Sequence, residues 1–275
     1  MTTVADVARW IASLGAAALF AVAPLAAHAD AAALRARHAQ LQDQLSHNPY
    51  GRALHIDSAE TGSSLQGDIY AVLDHPFAQV KQALEDPDAW CDIMLLPFNT
   101  RACEVSGNQL AVRIGRKPDQ PVEQAYPIAF RFQPAAAEAD FLEARLNAGQ
   151  GPFGTRDYRI RAQAVPLEDG RTFMHMRYSY GFGGAGRFAM QAYLATAGAN
   201  KAGFTTNGLR GAVERNAMRY YLAIDAYLDT MDVPVAQRVE KRIQQWFSAT
   251  ERYPRQLREM DRATYASIKR DVYSQ

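Results

Sequence analysis

Few residues of this 275-residue chain are spaced for covalent chemistry. No H-E-x-x-H or G-x-S-x-G pattern occurs, and the sequence holds no tight His/Asp/Glu set, so metal-dependent hydrolysis and serine-triad chemistry find no support. His175, between Met174 and Met176 and followed by Arg177, is a candidate acid or base if it faces an enclosed pocket. The alternation of its strand argues otherwise. It sets Met174, Met176, Tyr178 and Tyr180 on one face and His175 and Arg177 on the other, so His175 is expected exposed on the outer surface. His55 alternates with Leu54 and Ile56 and is likewise expected to point to solvent, while His38 and His47 belong to an N-terminal helix and its end. Residues 181–186, GFGGAG, fit G-x-G-x-x-G between a strand and a helix. A dinucleotide unit also needs a second parallel strand and an acidic residue about 20 positions on, and Asn200 and Lys201 stand there instead. A flexible turn, the hinge of a gate over residues 181–203, is the expectation; no cofactor is expected.

The aromatic and methionine content of the apolar faces is the stronger signal. Methionine adapts to irregular ligands, and tyrosine brings a polar handle to an apolar wall. Many such side chains simply fill a core, but a buried phenol needs a partner, and a ligand is one candidate. Tyr178, Tyr180, Tyr126, Tyr220 and Tyr221 are the phenols to inspect.

Residues 1–29 read as an export signal: Arg9, an Ala-rich apolar run over 11–25, and Ala27-His28-Ala29 as the small-x-small cleavage pattern. The alternative is a membrane anchor, but the apolar run is shorter than the ~20 residues of a spanning helix and Pro24 interrupts it. A periplasmic or secreted protein is expected. There Cys91 and Cys103, an even pair close in sequence, suggest a disulfide closing a loop worth about 3 kcal/mol; two small buried hydrophobes are the alternative. Thirty Lys+Arg against 29 Asp+Glu leave no basic excess, which sets sequence-independent nucleic-acid binding aside.

The elements that position these residues follow from periodicity and turns. A helix is predicted over 31–45, and strands over 53–58 and 64–73. Asp74-His75-Pro76 breaks the second strand and starts a short helix with Phe77, Val80 and Leu84 on one face. Asp86-Pro87 stops it, and Trp90 and the apolar run 93–96 follow. Strands are predicted over 101–105, 109–116, 122–132, 140–147, 154–165 and 171–180, with hairpin turns at Ser106-Gly107-Asn108 and Glu168-Asp169-Gly170. On two of them Tyr126, Ile128, Phe130 and Phe132, and Tyr158, Ile160, Ala162 and Ala164, share apolar faces. A helix over 209–231 carries an apolar stripe (Val213, Ala217, Tyr220, Tyr221, Ile224), with Arg215, Asp225 and Asp229 expected away from it. Further helices are predicted over 187–201, 235–253 and 255–272.

The order of elements in residues 67–103 (strand, Asp-x-Pro, a short helix ending in an Asp-Pro turn, Trp, a second helical piece, strand) resembles the opening of the START-like, or polyketide cyclase/dehydrase (SRPBCC), superfamily. The resemblance implies an α+β helix-grip fold: a curved antiparallel sheet wrapped on a long C-terminal helix, with two short helices plugging one side and an apolar cavity inside. It covers about 53–231. The segment 187–201 and the helices after Pro234 depart from the family pattern. The expected organisation is a signal peptide at 1–29, an N-terminal helix at 30–50, the helix-grip domain at 51–231 and a helical extension at 232–275.

What the resemblance implies of function is a binding or carrier protein for a hydrophobic small molecule such as a lipid, sterol-like or polyketide-like compound. Tyr126, Phe130, Met174, Met176, Tyr178, Tyr180, Tyr220, Tyr221 and Ile224 are the expected lining of a cavity of about 300–1,000 Å³. The alternative is a cavity-based cyclase/dehydrase or hydrolase, which needs ionisable groups converging inside; Glu143, Arg145 and Arg177 would serve if the register were shifted by one. A third reading is an envelope interaction module with a filled core. Its C-terminal helices would make transient contact with a membrane or a protein partner. No nucleic-acid partner and no metal are expected.

Overall fold

The computed structural model describes residues 23–117, 120–196, 198–199 and 201–274. The export signal therefore falls mostly outside the described residues. Eight antiparallel strands form one sheet: β1 (Leu54–Thr61), β2 (Ser64–Leu73), β3 (Thr100–Ser106), β4 (Gln109–Ile114), β5 (Tyr126–Ala137), β6 (Leu142–Gln150), β7 (Thr155–Pro166) and β8 (Thr172–Phe182). Their spatial order is β1-β2-β8-β7-β6-β5-β4-β3, so β1 and β3 are edges and the curved sheet stays open. Left-handed glycines make three of the hairpin turns, with φ of 58° at Gly62, 57° at Gly107 and 83° at Gly170.

The helices are α1 (Ala23–Gln40), α2 (Gln42–Ser46), α3 (Phe77–Leu84), α4 (Pro87–Leu95), α5 (Gly184–Ala195), α6 (Gly208–Leu228), α7 (Val235–Glu251), α8 (Pro254–Leu257) and α9 (Arg262–Tyr273). Asp86 caps α4 by accepting from the Asp88 amide, with Pro87 in the first turn. Trp90 is fully buried and its indole donates to the Leu84 carbonyl, tying α4 to α3. Cys91 and Cys103 form a disulfide that joins α4 to β3, with Cα atoms 5.5 Å apart. The long helix α6 lies in the concave face of the sheet. It approaches so closely that a Cβ on Gly67 of β2 would stand 3.1 Å from the Val213 carbonyl oxygen. A side chain at Gly67 would require the helix to give by a few tenths of an ångström.

The predicted N-terminal helix is longer and in two pieces, and its place is unexpected. Ala31, Leu34, Leu41 and Leu45 pack with Phe141, Val165 and Phe173 on the convex face, which the alternation of the strands had left to solvent. The predicted helix 187–201 begins earlier, at Gly184, and ends at Ala195; the predicted 255–272 divides into α8 and α9. The C-terminal helices join the main core through Ile243, Trp246, Phe247, Leu257 and Tyr265. Tyr265 donates to the Leu96 carbonyl at 2.9 Å, and Lys269, fully buried, donates to the carbonyls of Pro97 and Thr100. No described helix is long and apolar enough to cross a membrane.

Candidate functional site

Along β7 and β8, alternation turns Tyr158, Tyr178 and Tyr180 toward α6, and α6 answers with Tyr220. The rings of Tyr158 and Tyr180 stack with centroids 5.4 Å apart; Tyr178 stands 5.8 Å from Tyr180 and 5.4 Å from Tyr220. Phe130 of β5 meets Tyr158 edge-on at 6.4 Å. Met174, Met176 and Ile224 are fully buried further along the same core.

The hydroxyls separate these tyrosines. Tyr158 shares a 2.7 Å hydrogen bond with Thr155, and Tyr180 makes only a long contact, 3.7 Å, to the Met190 sulfur. Among the described residues the hydroxyls of Tyr178 and Tyr220 have no hydrogen-bond partner. Tyr178 is 6% exposed, and Tyr220 is partly buried. Burial, reinforced by the neighbouring phenols, raises the pKa values of Tyr178, Tyr180 and Tyr220, so all three are neutral hydrogen-bond donors.

The remaining expected residues are placed differently. Tyr221 is buried, but its hydroxyl accepts from Arg52, which is bound to Asp225 at 2.5 Å; this phenol is a structural contact. Tyr126 is half-buried at the rim, 5.1 Å from Phe153, itself an exposed aromatic with a φ of 57°. Tyr158 is central to the cluster yet absent from the expected lining. Its alternation with Ile160, Ala162 and Ala164 was the signal that it faces inward.

The sheet order, the two plugging helices and the long helix held in the concave face decide the fold. This is a helix-grip fold. Among solved structures the chain is similar to a truncated norcoclaurine synthase from Thalictrum flavum (11% identity, 64% of this chain and 100% of that one, TM-score 0.37). It is also similar to human StAR-related lipid transfer protein 5 (10% identity, 73% and 97% covered, TM-score 0.33). A third is a protein from Arthrobacter aurescens (22% identity, 64% and 91% covered, TM-score 0.36). No family model matches the chain, and no curated protein shows significant similarity to it.

On the convex side of the grip, the structure corrects the expectation for His175. The residue is on the outer face, but it is buried at 6% exposure, with Tyr70 stacked on its ring at 4.2 Å. Its Nε2 lies 2.6 Å from Asp68 and its Nδ1 3.3 Å from the Gln163 amide oxygen. Gln163 donates to Glu143 at 3.0 Å, Arg161 pairs with Glu143 at 2.6 Å, and Arg145 closes on the same carboxylate. Arg177 and Gln66 both donate to Asp68. Glu143, Arg145 and Arg177 thus belong to this network and not to the interior. Burial lowers the His175 pKa despite the pull of Asp68, whereas its hydrogen-bonded partners outweigh burial at Asp68 and hold that carboxyl low. His55 is partly covered as well, 3.1 Å from Asp57.

The residues 181–186 have none of the left-handed backbone that a phosphate-cradling turn invites; the positive-φ glycines lie elsewhere. Gly186 is instead needed for close packing, since a Cβ there would stand 3.0 Å from the Phe182 Cβ and 3.2 Å from the Gly154 oxygen. Among the described residues one set of side chains has the spacing to bind a metal: His75, Asp225 and Asp229, with ligand atoms within 4.8 Å of one another. Each carboxylate is already matched, Asp229 by His75 at 3.1 Å and Asp225 by Arg52. The two carboxylates border a polar cleft of about 390 Å³ between α6 and α7, outside the grip.

Proposed function

We propose that the protein binds a hydrophobic small molecule in the interior of the grip and carries it without transforming it. One observation supports this above the others: Tyr178 and Tyr220 present neutral hydroxyls, without protein partners, to an apolar interior. A hydroxyl that has no protein partner is free to donate to a ligand acceptor, and one such bond contributes about 0.5–1.5 kcal/mol. The lining would comprise Tyr158, Tyr178, Tyr180 and Tyr220 at the centre, Phe130, Met174, Met176 and Ile224 as apolar wall, and Tyr126 with Tyr221 at the margins. Carriage is favoured over catalysis because the ionisable side chains of β6, β7 and β8 lie on the convex face, where they bind one another. An exported, oxidising setting fits the Cys91–Cys103 bond and the export signal read at 1–29.

Access to the interior would come from α5, which exposes Phe188 and Tyr193 and is joined to β8 through Gly183. The test is native mass spectrometry of detergent-free protein from its own cells. A small-molecule adduct that disappears on denaturation is expected. A bare mass, together with failure to take up any apolar probe, would overturn the proposal.

A further inference from the structure

Arg215 was expected on the solvent side of α6. It is 2% exposed. Its Nη1 donates to the main-chain oxygens of Lys201 at 3.3 Å and Ala202 at 3.1 Å, and among the described residues no carboxylate pairs with it. Two neutral carbonyls do not balance a full charge taken out of water. One turn on, Arg219 is 8% exposed, and its Nη2 binds Glu259 at 2.5 Å while its Nε is buried without a partner. Lys201 reaches the same Glu259 carboxylate. Lys201 and Arg219 therefore share one acid, and Arg215 beside them has none. Glu214, beside Arg215 in the chain, is engaged by the hydroxyls of Ser58 and Thr205 and the amides of Phe204 and Thr205. Even counting it, positive charge exceeds negative by one.

This cluster borders the tyrosines. Arg219 precedes Tyr220 on α6, about 100° around the helix axis. The Arg215 charge is felt at the Tyr180 phenol and the Arg219 charge at the Tyr220 phenol, each opposing the upward push of burial. An uncompensated guanidinium at the end of an apolar, phenol-lined interior has the character of a headgroup site.

We propose that the ligand is an amphipath with an anionic head, carboxylate or phosphate, whose chain lies among the tyrosines and methionines and whose head binds Arg215, supported by Lys201. This rests on the binding function proposed above and narrows it to a chemical class. A guanidinium pairs such heads in a two-pronged, charge-assisted geometry that an alcohol cannot match.

The test compares three probes of one chain length, hexadecanoate, hexadecyl phosphate and hexadecan-1-ol, below their aggregation limits, on the full mature protein. At least one anion is expected to bind about 10- to 100-fold tighter than the alcohol, as charge-assisted hydrogen bonds allow; which anion is preferred separates carboxylate from phosphate. Arg215→Met should abolish that preference while retaining alcohol binding. If Arg215→Met does not fold, Lys201→Gln, at a less buried position, should reduce the preference by about threefold or more. Equal affinity for all three probes would overturn the anionic head and leave the interior binding site standing. So would an undiminished preference in a folded Arg215→Met protein. Binding of none of them would overturn both.

Discussion

The two faces of the central strands treat buried polarity in opposite ways. On the convex face Asp68, Glu143, Gln163 and His175 are all buried, and every one is bonded to another member of the network. On the concave face Tyr178 of β8 and, facing it from α6, Tyr220 have no hydrogen-bond partner among the described residues. Burial alone does not separate a site from a scaffold. The difference is in bonding: the carboxylates, amide and imidazole of the convex face bind one another, whereas the two phenols have no protein partner and are free to bind a ligand.

Four measurements break or sharpen this contrast. Removing the disulfide by Cys91→Ala with Cys103→Ala should lower stability by about 3 kcal/mol in denaturant unfolding without altering ligand affinity, because β3 is the sheet edge remote from β7 and β8. An affinity change of tenfold would tie the α4–β3 link to the interior. Glu143→Leu leaves Arg161, Arg145 and Gln163 without their acid. The two arginines are partly solvated, so the expected loss is about 2 kcal/mol, or about 4–8 °C in melting temperature, again with ligand affinity unchanged. A melting point equal to that of the unaltered protein would remove the structural role of the convex network.

Tyr178→Phe should do the reverse. No hydrogen bond is lost within the protein, so stability should shift by less than about 0.5 kcal/mol while affinity for the native ligand falls about fivefold, one ordinary hydrogen bond. Destabilisation by a full kcal/mol or more would mean that the hydroxyl has a partner in the free protein.

The smallest effect is in the pH profile. His175 has a folded pKa lowered below 6.5 by burial. The unfolded chain then binds the extra proton, and stability falls as pH drops from 6.5 through the folded value. His75 is the opposite case: burial pulls it down, but Asp229 outweighs burial and raises it. Its stabilisation is complete below 6.5 and lost as pH climbs through the folded value. In urea unfolding between pH 5 and 8, His175→Gln should remove the acid-side loss and His75→Gln the loss on the basic side. Parallel shifts in both variants would contradict the signs assigned here.

Much of this arrangement was legible in residue order. The period-2 runs of β5, β7 and β8 gave the correct inward faces, and Asp86-Pro87 marked the end of α3. The breaks of α8 from α9 and of α1 from α2 were not visible, since a short turn inside a charged helical stretch leaves the periodicity almost intact. Arg215 was misplaced for a related reason. A charged residue off an apolar stripe is assigned to solvent by default, but here the chain around Lys201 and Ala202 covers that side of α6 and turns it into an interior.

By itself the sequence indicated most of the secondary structure, the inward faces of the alternating strands, a disulfide as one reading of the two cysteines and an order of elements resembling the START-like opening, because each depends on neighbours a few residues apart. Only the tertiary structure decided which buried polar groups are satisfied. Asp68 and His175 are separated by 107 positions, and Glu143 and Arg161 meet across two strands. The convex face became a core when α1 folded back onto it. Alternation tells which side of the sheet a side chain takes; what covers that side, and whether it brings a hydrogen-bond partner, is set by segments far away in the chain.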